Sequence, residues 1–186
     1  MYNKEQAIAQ IKEFLFSNEK CMLLTGTYQF KKHKLIMRIL NNHLTKNLIL
    51  FRINSMQNIE LEEFLGWANI KKQPKAGERV AIGKNIYECD SIYTASTWSK
   101  TSRKFTCAIV YPIDGLCRRK KLDVIDNLFR FKEVSKIFLV SWTDRKDYDY
   151  SIFSQYVERY VVYDAEEDPA YHKRVIDIVD EIDRRR

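Results

Sequence analysis

An α/β fold is what this sequence predicts: three layers, with a mostly parallel five-stranded sheet, helices on both faces and an inserted β-hairpin. Three observations point to it. Short, nearly continuous apolar blocks recur along the chain, as expected of strands covered on both faces. Amphipathic helical stretches alternate with them. The link between the first two blocks is long enough to cross over and bring them parallel. At 186 residues the chain suits one domain with a full core, so 1–186 is read as a single unit, with 55–104 as an insertion or elaborated connection.

In order, residues 3–17 carry Ala7, Ile8, Ile11, Phe14 and Leu15 at helical spacing behind a capping Asn3. Met22-Leu-Leu24 is a short buried strand, and Gly26 turns the chain. Leu35, Ile36, Ile39, Leu40 and Leu44 then line one face of a second helix over 31–44. Asn47 to Ile53 is the second strand. The middle is less regular. Residues 59–67 are expected as a short helix with Leu61, Phe64 and Leu65 inward, and 71–77 as a basic loop. Residues 79–82 and 86–89, joined by Gly83-Lys84-Asn85, form the hairpin. Ser91 to Lys104 takes no assignment. Phe105 to Tyr111 is a third strand. The run Arg118-Arg-Lys-Lys121 then leads into a helix presenting Leu122, Ile125, Leu128 and Phe129. Lys136 to Ser141 is the fourth strand, a short helix follows around 150–157, and Arg159 to Tyr163 is the fifth strand. Asp168-Pro169 opens the last helix, with Tyr171, Val175, Ile178, Val179 and Ile182 on its inner face.

Apolar residues make up 45% of the chain and charged residues 31%, a globular balance and not a disordered one. No apolar run approaches the roughly 18 residues of a membrane span, so no membrane partner is expected. The opening Met1-Tyr-Asn-Lys-Glu-Gln6 lacks the apolar core of a secretory signal, which makes the cytoplasm the expected location. Cys21, Cys89, Cys107 and Cys117 are widely separated, without zinc spacing, and no metal site is expected. The formal net charge of +7 favours anionic partners.

The stretch from Cys21 to Lys34 has the layout of a phosphate-binding loop: strand, glycine turn, and a helix start rich in lysine. Against the G-x-x-x-x-G-K-[ST] pattern only Gly26 and Lys32 fit. Lys31 stands where the second glycine belongs, and His33 replaces the Ser/Thr. In an open parallel sheet ligands collect outside the carboxyl ends of the strands. Four of the five predicted ends are basic or polar there, carrying Lys31, Lys32 and Lys34, then Arg52, then Asp114 with Arg118 to Lys121, then Ser141 to Lys146. The fifth end is acidic, with Asp164, Glu166 and Glu167. Lysines at a helix start gain nothing from the macrodipole, and an anion held between them and the backbone N–H groups would remove that conflict. The expected phosphate-binding residues are therefore Thr25, Gly26, Lys31, Lys32 and His33.

This order of elements resembles the P-loop NTPase superfamily, in its additional-strand, AAA+/RecA-like type, over residues 20–54 and 105–165. The resemblance implies a phosphate loop at Gly26 and Lys32, an acidic metal-linked residue near Asp114, and a polar group at Ser141 or Thr143. It also implies ATP with magnesium as cofactor. His33 lacks the hydroxyl that ligates magnesium in the family. Asp114 comes two residues late after its strand, where Gly115 also permits an ordinary Asp-Gly turn. Catalytic roles for Asp114, Thr143 and Arg145 hold only if the chain is active. A degenerate member is the expected state, and such members serve as non-hydrolysing partners in replication, transposition and defence systems.

Three functions compete. The first is a nucleic-acid-binding or assembly module using Lys71, Lys72, Lys75, Lys84, Lys100, Arg103, Lys104, Arg118, Arg119, Lys120 and Lys121. Tyr87, Tyr93 and Trp98 are interleaved with the middle group of these, which suits backbone contact plus stacking, or else packs the hairpin on the core. The second is an enzyme: a weak ATP-binding NTPase using Lys32 and Asp114, or a nuclease for which Glu88, Asp90 and Lys104 are the nearest carboxylate–lysine set. The third is a non-catalytic protein-interaction subunit or homo-oligomer that docks through Asp164, Glu166, Glu167 and Arg184-Arg-Arg186.

Overall fold

The computed structural model describes residues 4–70, 72–143, 145, 148–166 and 168–184. Helices α1 (Lys4–Phe16), α2 (Lys32–His43), α3 (Asp114–Arg119), α4 (Asp123–Arg130) and α5 (Pro169–Arg184) alternate with seven strands: β1 (Cys21–Thr25), β2 (Leu48–Ile53), β3 (Arg79–Ile82), β4 (Asn85–Ser91), β5 (Lys104–Tyr111), β6 (Glu133–Val140) and β7 (Arg159–Val162). The strands lie in one sheet in the order β3-β4-β2-β5-β6-β1-β7. Every neighbouring pair is parallel except β3 with β4. The carboxyl ends of β5, β6 and β1 are therefore side by side, and the site is built on them.

Alternation along each strand divides the core in two. Met22, Leu24, Ile49, Phe51, Ile109 and Phe138 meet α1 and α2 on one face. Leu23, Leu50, Ala108, Val110, Ile137 and Leu139 meet α3 and α4 on the other. His33 belongs to the first face. It is fully buried, stacked on Tyr111 with ring centroids 4.2 Å apart, and its Nε2–H donates to Phe64 O at 3.0 Å. Burial lowers its pKa to about 3, with Lys34 and Lys32 adding to the shift and the Phe64 carbonyl opposing it. The ring is a neutral packing group.

Several expectations need correction. The sheet has seven strands, not five, because the hairpin is part of it: β4 runs parallel to β2 from Leu48↔Ile86 to Ile53↔Ser91. Residues 59–67 form turns ending in a 3₁₀ segment at Gly66–Ala68, not an α-helix, and the segment near 150 is a 3₁₀ turn over Tyr150–Phe153. In α5, Val175 and Val179 are buried, but Ile178 and Ile182 are exposed. Asn3, the expected cap of α1, lies outside the described residues. Among those described, no helix is long and apolar enough to cross a membrane.

Glu88 and Asp90 give the hairpin the look of an external insertion, yet both carboxylates are buried against a polar network instead of facing water. Arg52, itself fully buried, donates from Nε and Nη2 to the two Asp90 oxygens at 2.7 Å each. It also reaches Val124 O and Asn127 Oδ1 and lies over the Trp98 ring at 4.8 Å. Glu88 accepts from Ser102 N and Oγ at 2.7 Å and from Arg79. Lys132 donates to the carbonyls of Trp98 and Ser102. Segment 91–104, whose composition fits no regular element, is the strap that completes this network.

The buried groups set the stability of the hairpin and its response to acid. Asp90→Asn leaves the Arg52 charge uncompensated, and urea unfolding should show a loss of about 3–5 kcal/mol; a loss under about 1 kcal/mol would mean that the pair does not anchor the hairpin. For His33, the folded pKa lies below the unfolded value of 6.5, so the unfolded chain takes up the proton first as pH falls. Its contribution is whole above about pH 6.5 and is lost toward pH 3, by at most about 1.4 kcal/mol per pH unit. His33→Phe should flatten the fall in unfolding free energy between pH 7 and pH 5, and an unchanged slope would refute this.

Candidate functional site

The turn after β1 is shaped for close backbone approach, but the approaching group is protein. Gly26 has φ +117, and a Cβ there would fall 2.2 Å from Tyr163 O; only glycine fits. The next N–H groups point at the exit of β7. Thr27 N donates to Asp164 Oδ1 at 2.9 Å, and Tyr28 N donates to Tyr163 O at 3.3 Å. Thr27 Oγ1 accepts from Ala165 N at 2.9 Å and lies 2.8 Å from His172 Nδ1. The Tyr28 ring lies 5.0 Å from Tyr163 and 5.4 Å from Tyr171. Lys31, at the second-glycine position, has ordinary right-handed helical angles (φ −102, ψ −22). A carboxylate from the fold itself thus sits where a phosphate loop would present its amides.

The three lysines of the helix start diverge. Lys31 is exposed to solvent. Lys34 Nζ pairs with Glu62 at 3.2 Å and lies 5.5 Å from the centre of the Trp67 ring. Lys32 is fully buried; its Nζ donates to Gly26 O and, at 3.1 Å, to Trp142 O. Burying an ammonium is costly unless acceptors surround it, and carbonyl oxygens supply that role here.

Asp114 completes the arrangement from the opposite side. It is 4% exposed and occupies the first turn of α3, not an isolated Asp-Gly turn. Its carboxylate accepts from Trp142 N at 2.6 Å, Thr143 N at 3.0 Å and Thr143 Oγ1 at 3.2 Å. The residues expected to meet phosphate and metal therefore clamp one peptide unit on each side of Trp142. Trp142 has no signal in the sequence: the loop after β6 gives no motif, and the contact needs β5, β6 and β1 as neighbours. The Asp164–Thr27 bond is hidden for the same reason, so that Asp164 reads in sequence as a docking charge.

The other candidates scatter. Thr25 ends β1 and Thr143 is held by Asp114. Arg145 lies with its guanidinium 5.5 Å from the Tyr148 ring centre. Arg52 lies one residue from the carboxyl end of β2, but its side chain is taken up in the buried Asp90 pair. Lys84 is in the β3–β4 turn, Lys104 opens β5, and Arg103 pairs with Glu133 at the start of β6. Those three lie at the amino ends of the parallel strands, opposite the turn at Gly26. Lys72 lines a hollow beside the outer strand β3, Lys75 is bonded through its backbone to Glu78, and Lys100 ends the 3₁₀ segment Ala95–Lys100. Arg118, Arg119, Lys120 and Lys121 are exposed near the carboxyl edge. The cations expected to bind nucleic acid are therefore divided between the two ends of the sheet. Glu88 and Asp90 are engaged structurally, so the nuclease set with Lys104 does not converge. Among the described residues no three His, Cys, Asp or Glu side chains gather as a metal site. Lys71, Asp144, Lys146, Asp147, Glu167, Arg185 and Arg186 lie outside the described residues.

No protein-family model matches this chain, and no curated protein does. Solved structures do. The large terminase from a thermophilic bacteriophage aligns with a TM-score of 0.55 at 8% identity, covering 94% of this chain and 48% of that one. The same terminase in complex with ADP gives 0.52 at 6% identity, covering 91% and 48%. This chain spans about half the length of the terminase it matches. At such identities the likeness is one of fold, that of a mostly parallel α/β sheet flanked by helices.

Proposed function

We propose that this chain is a degenerate P-loop-like module that binds nucleic acid or serves in its assembly, without efficient nucleotide hydrolysis. The observation that carries the reading is the clamp on Trp142. Lys32 and Asp114 both hold its backbone, while Thr27 and Tyr28 turn their N–H groups to Asp164 and Tyr163. Hydrolysis needs a phosphate cradle, a metal ligand and a water-orienting group together. To build that set, ATP would have to displace an internal carboxylate, pull Lys32 from its carbonyls and release Asp114 from three donors.

The nucleic-acid part draws support from the net charge of +7 and from the exposed cations at Arg118 to Lys121. The fold neighbour is a phage large terminase, and one of its structures holds ADP. That favours a second reading, in which Lys32 and Asp114 bind ATP with magnesium weakly. The exposed Ile178 and Ile182 of α5 equally suit a protein partner or a second copy of the chain.

Thermal melting separates these readings. A ligand that binds only the folded state raises the melting temperature by mass action. Millimolar ATP with magnesium should leave the melting temperature of the wild-type chain unchanged, and no phosphate should be released. A rise in melting temperature that Lys32→Ala abolishes would establish a retained nucleotide site, and phosphate release lost in the same variant would overturn the non-hydrolysing reading.

A further inference from the structure

We infer that the carboxyl edge carries a nucleotide-recognition cleft beside the phosphate loop, not in it, and that single-stranded nucleic acid is its ligand. This rests on the nucleic-acid reading above and names where and in what form the acid is held.

Two adjoining hollows share Asn54, Pro112 and Trp142 as their common wall. The first, about 270 Å³, has Phe30, Leu61, Phe64 and Tyr111 as apolar lining. Asn58 and Glu63 stand at its rim. Such a slot suits a flat ring with polar edges, since amides and a carboxylate read the donors and acceptors of a base. Trp142 is 40% exposed and its ring lies 5.8 Å from Phe30, so part of an aromatic surface is open to solvent beside the hollow.

The second hollow, about 450 Å³, is cationic. Arg118 and Arg119 line it beside Tyr93 and Tyr148. The Arg119 guanidinium lies 4.3 Å from the centre of the Tyr93 ring, and Arg118 lies 5.7 Å from that of Tyr148. A guanidinium held near an aromatic ring keeps N–H donors that can grip a phosphate. Asp114 also borders this hollow, but its carboxylate accepts from Trp142 and Thr143.

An apolar hollow joined to an arginine-lined hollow across one tryptophan has the order of base and phosphate in a nucleotide unit. Two points select a polymer. The basic run extends past the hollow through Lys120 and Lys121, further than one phosphate requires. A ring can enter the first slot only if it is unstacked, which single strands allow and duplexes resist.

The test is fluorescence anisotropy on the full chain with a labelled oligothymidine, its duplex and ATP as competitors, across a salt series. Single strand should bind in preference to duplex. The double variant Arg118→Ala, Arg119→Ala should weaken binding at least ten-fold and reduce the salt slope by about 1.4, at roughly 0.7 per lost phosphate contact. Trp142→Ala should weaken it about ten-fold with the slope kept, and Trp142→Phe should restore most of that. Trp142 holds Lys32 and Asp114 through its backbone, so the fold should survive; if melting shows otherwise, the arginine pair and Trp142→Phe still decide the matter. Oligonucleotide binding that these variants leave intact but Lys84→Ala with Lys104→Ala reduces would overturn the cleft and keep the module reading. Preference for duplex, or ATP bound at these residues with no oligonucleotide bound, would overturn the single-strand ligand. Failure to bind any nucleic acid would overturn both readings.

Discussion

The backbone at Trp142 is the constraint on which the carboxyl edge depends. Its N–H goes to Asp114 from the exit of β5, and its carbonyl goes to Lys32 from the start of α2. Because β6 lies between β5 and β1, this one residue ties three neighbouring strand ends together. An ammonium buried without acceptors would be costly to the fold. Lys32 is therefore held in place by the two carbonyl oxygens, of Gly26 and Trp142, that accept from its ammonium. Charges that a catalytic site would keep available for ligand are here part of the architecture.

The same logic explains the crowding of lysines at the start of α2. Positive charge at a helix N-terminus is unfavourable through the macrodipole, and an external anion is one way to relieve it. Relief comes from inside the molecule instead: carbonyls for Lys32, Glu62 and Trp67 for Lys34, and water for Lys31. Asp164 supplies the negative partner for the loop amide of Thr27. The exit of β7 and the first turn of α5 then close over the turn through Tyr28, Tyr163 and Tyr171.

Sequence makes the strand–helix alternation legible because apolar blocks such as Leu48–Ile53 and Lys104–Tyr111 carry little else. It also locates Gly26 as the turn. Hidden from it is every place where polarity is satisfied at a distance. Glu88 and Asp90 make β4 look solvent-facing, although Arg52, Ser102 and Arg79 bury them. Ile178 and Ile182 follow helical spacing, yet α5 meets the body of the protein along Val175 and Val179. Lys32 and Asp114 are legible as a pair near one edge. Their common partner, Trp142, has no local signature because the contact is created by strand order and not by spacing.

Strand order also decides how the net charge of +7 is to be read. Lys84, Arg103 and Lys104 fall at the amino ends of the strands, while Arg118 to Lys121 fall near the carboxyl ends, so the cations do not combine into one field. At physiological salt, charges separated by more than about 8 Å act largely independently, and recognition must come from local geometry. The cluster at the end of α3 is joined to an aromatic wall through Tyr93, Tyr148 and Trp142. Trp142, whose backbone joins Lys32 and Asp114, is thus also the residue whose side chain lines the neighbouring hollows. The engagement of Lys32 and Asp114 and the placing of that ring both follow from the two peptide units on either side of Trp142 being fixed.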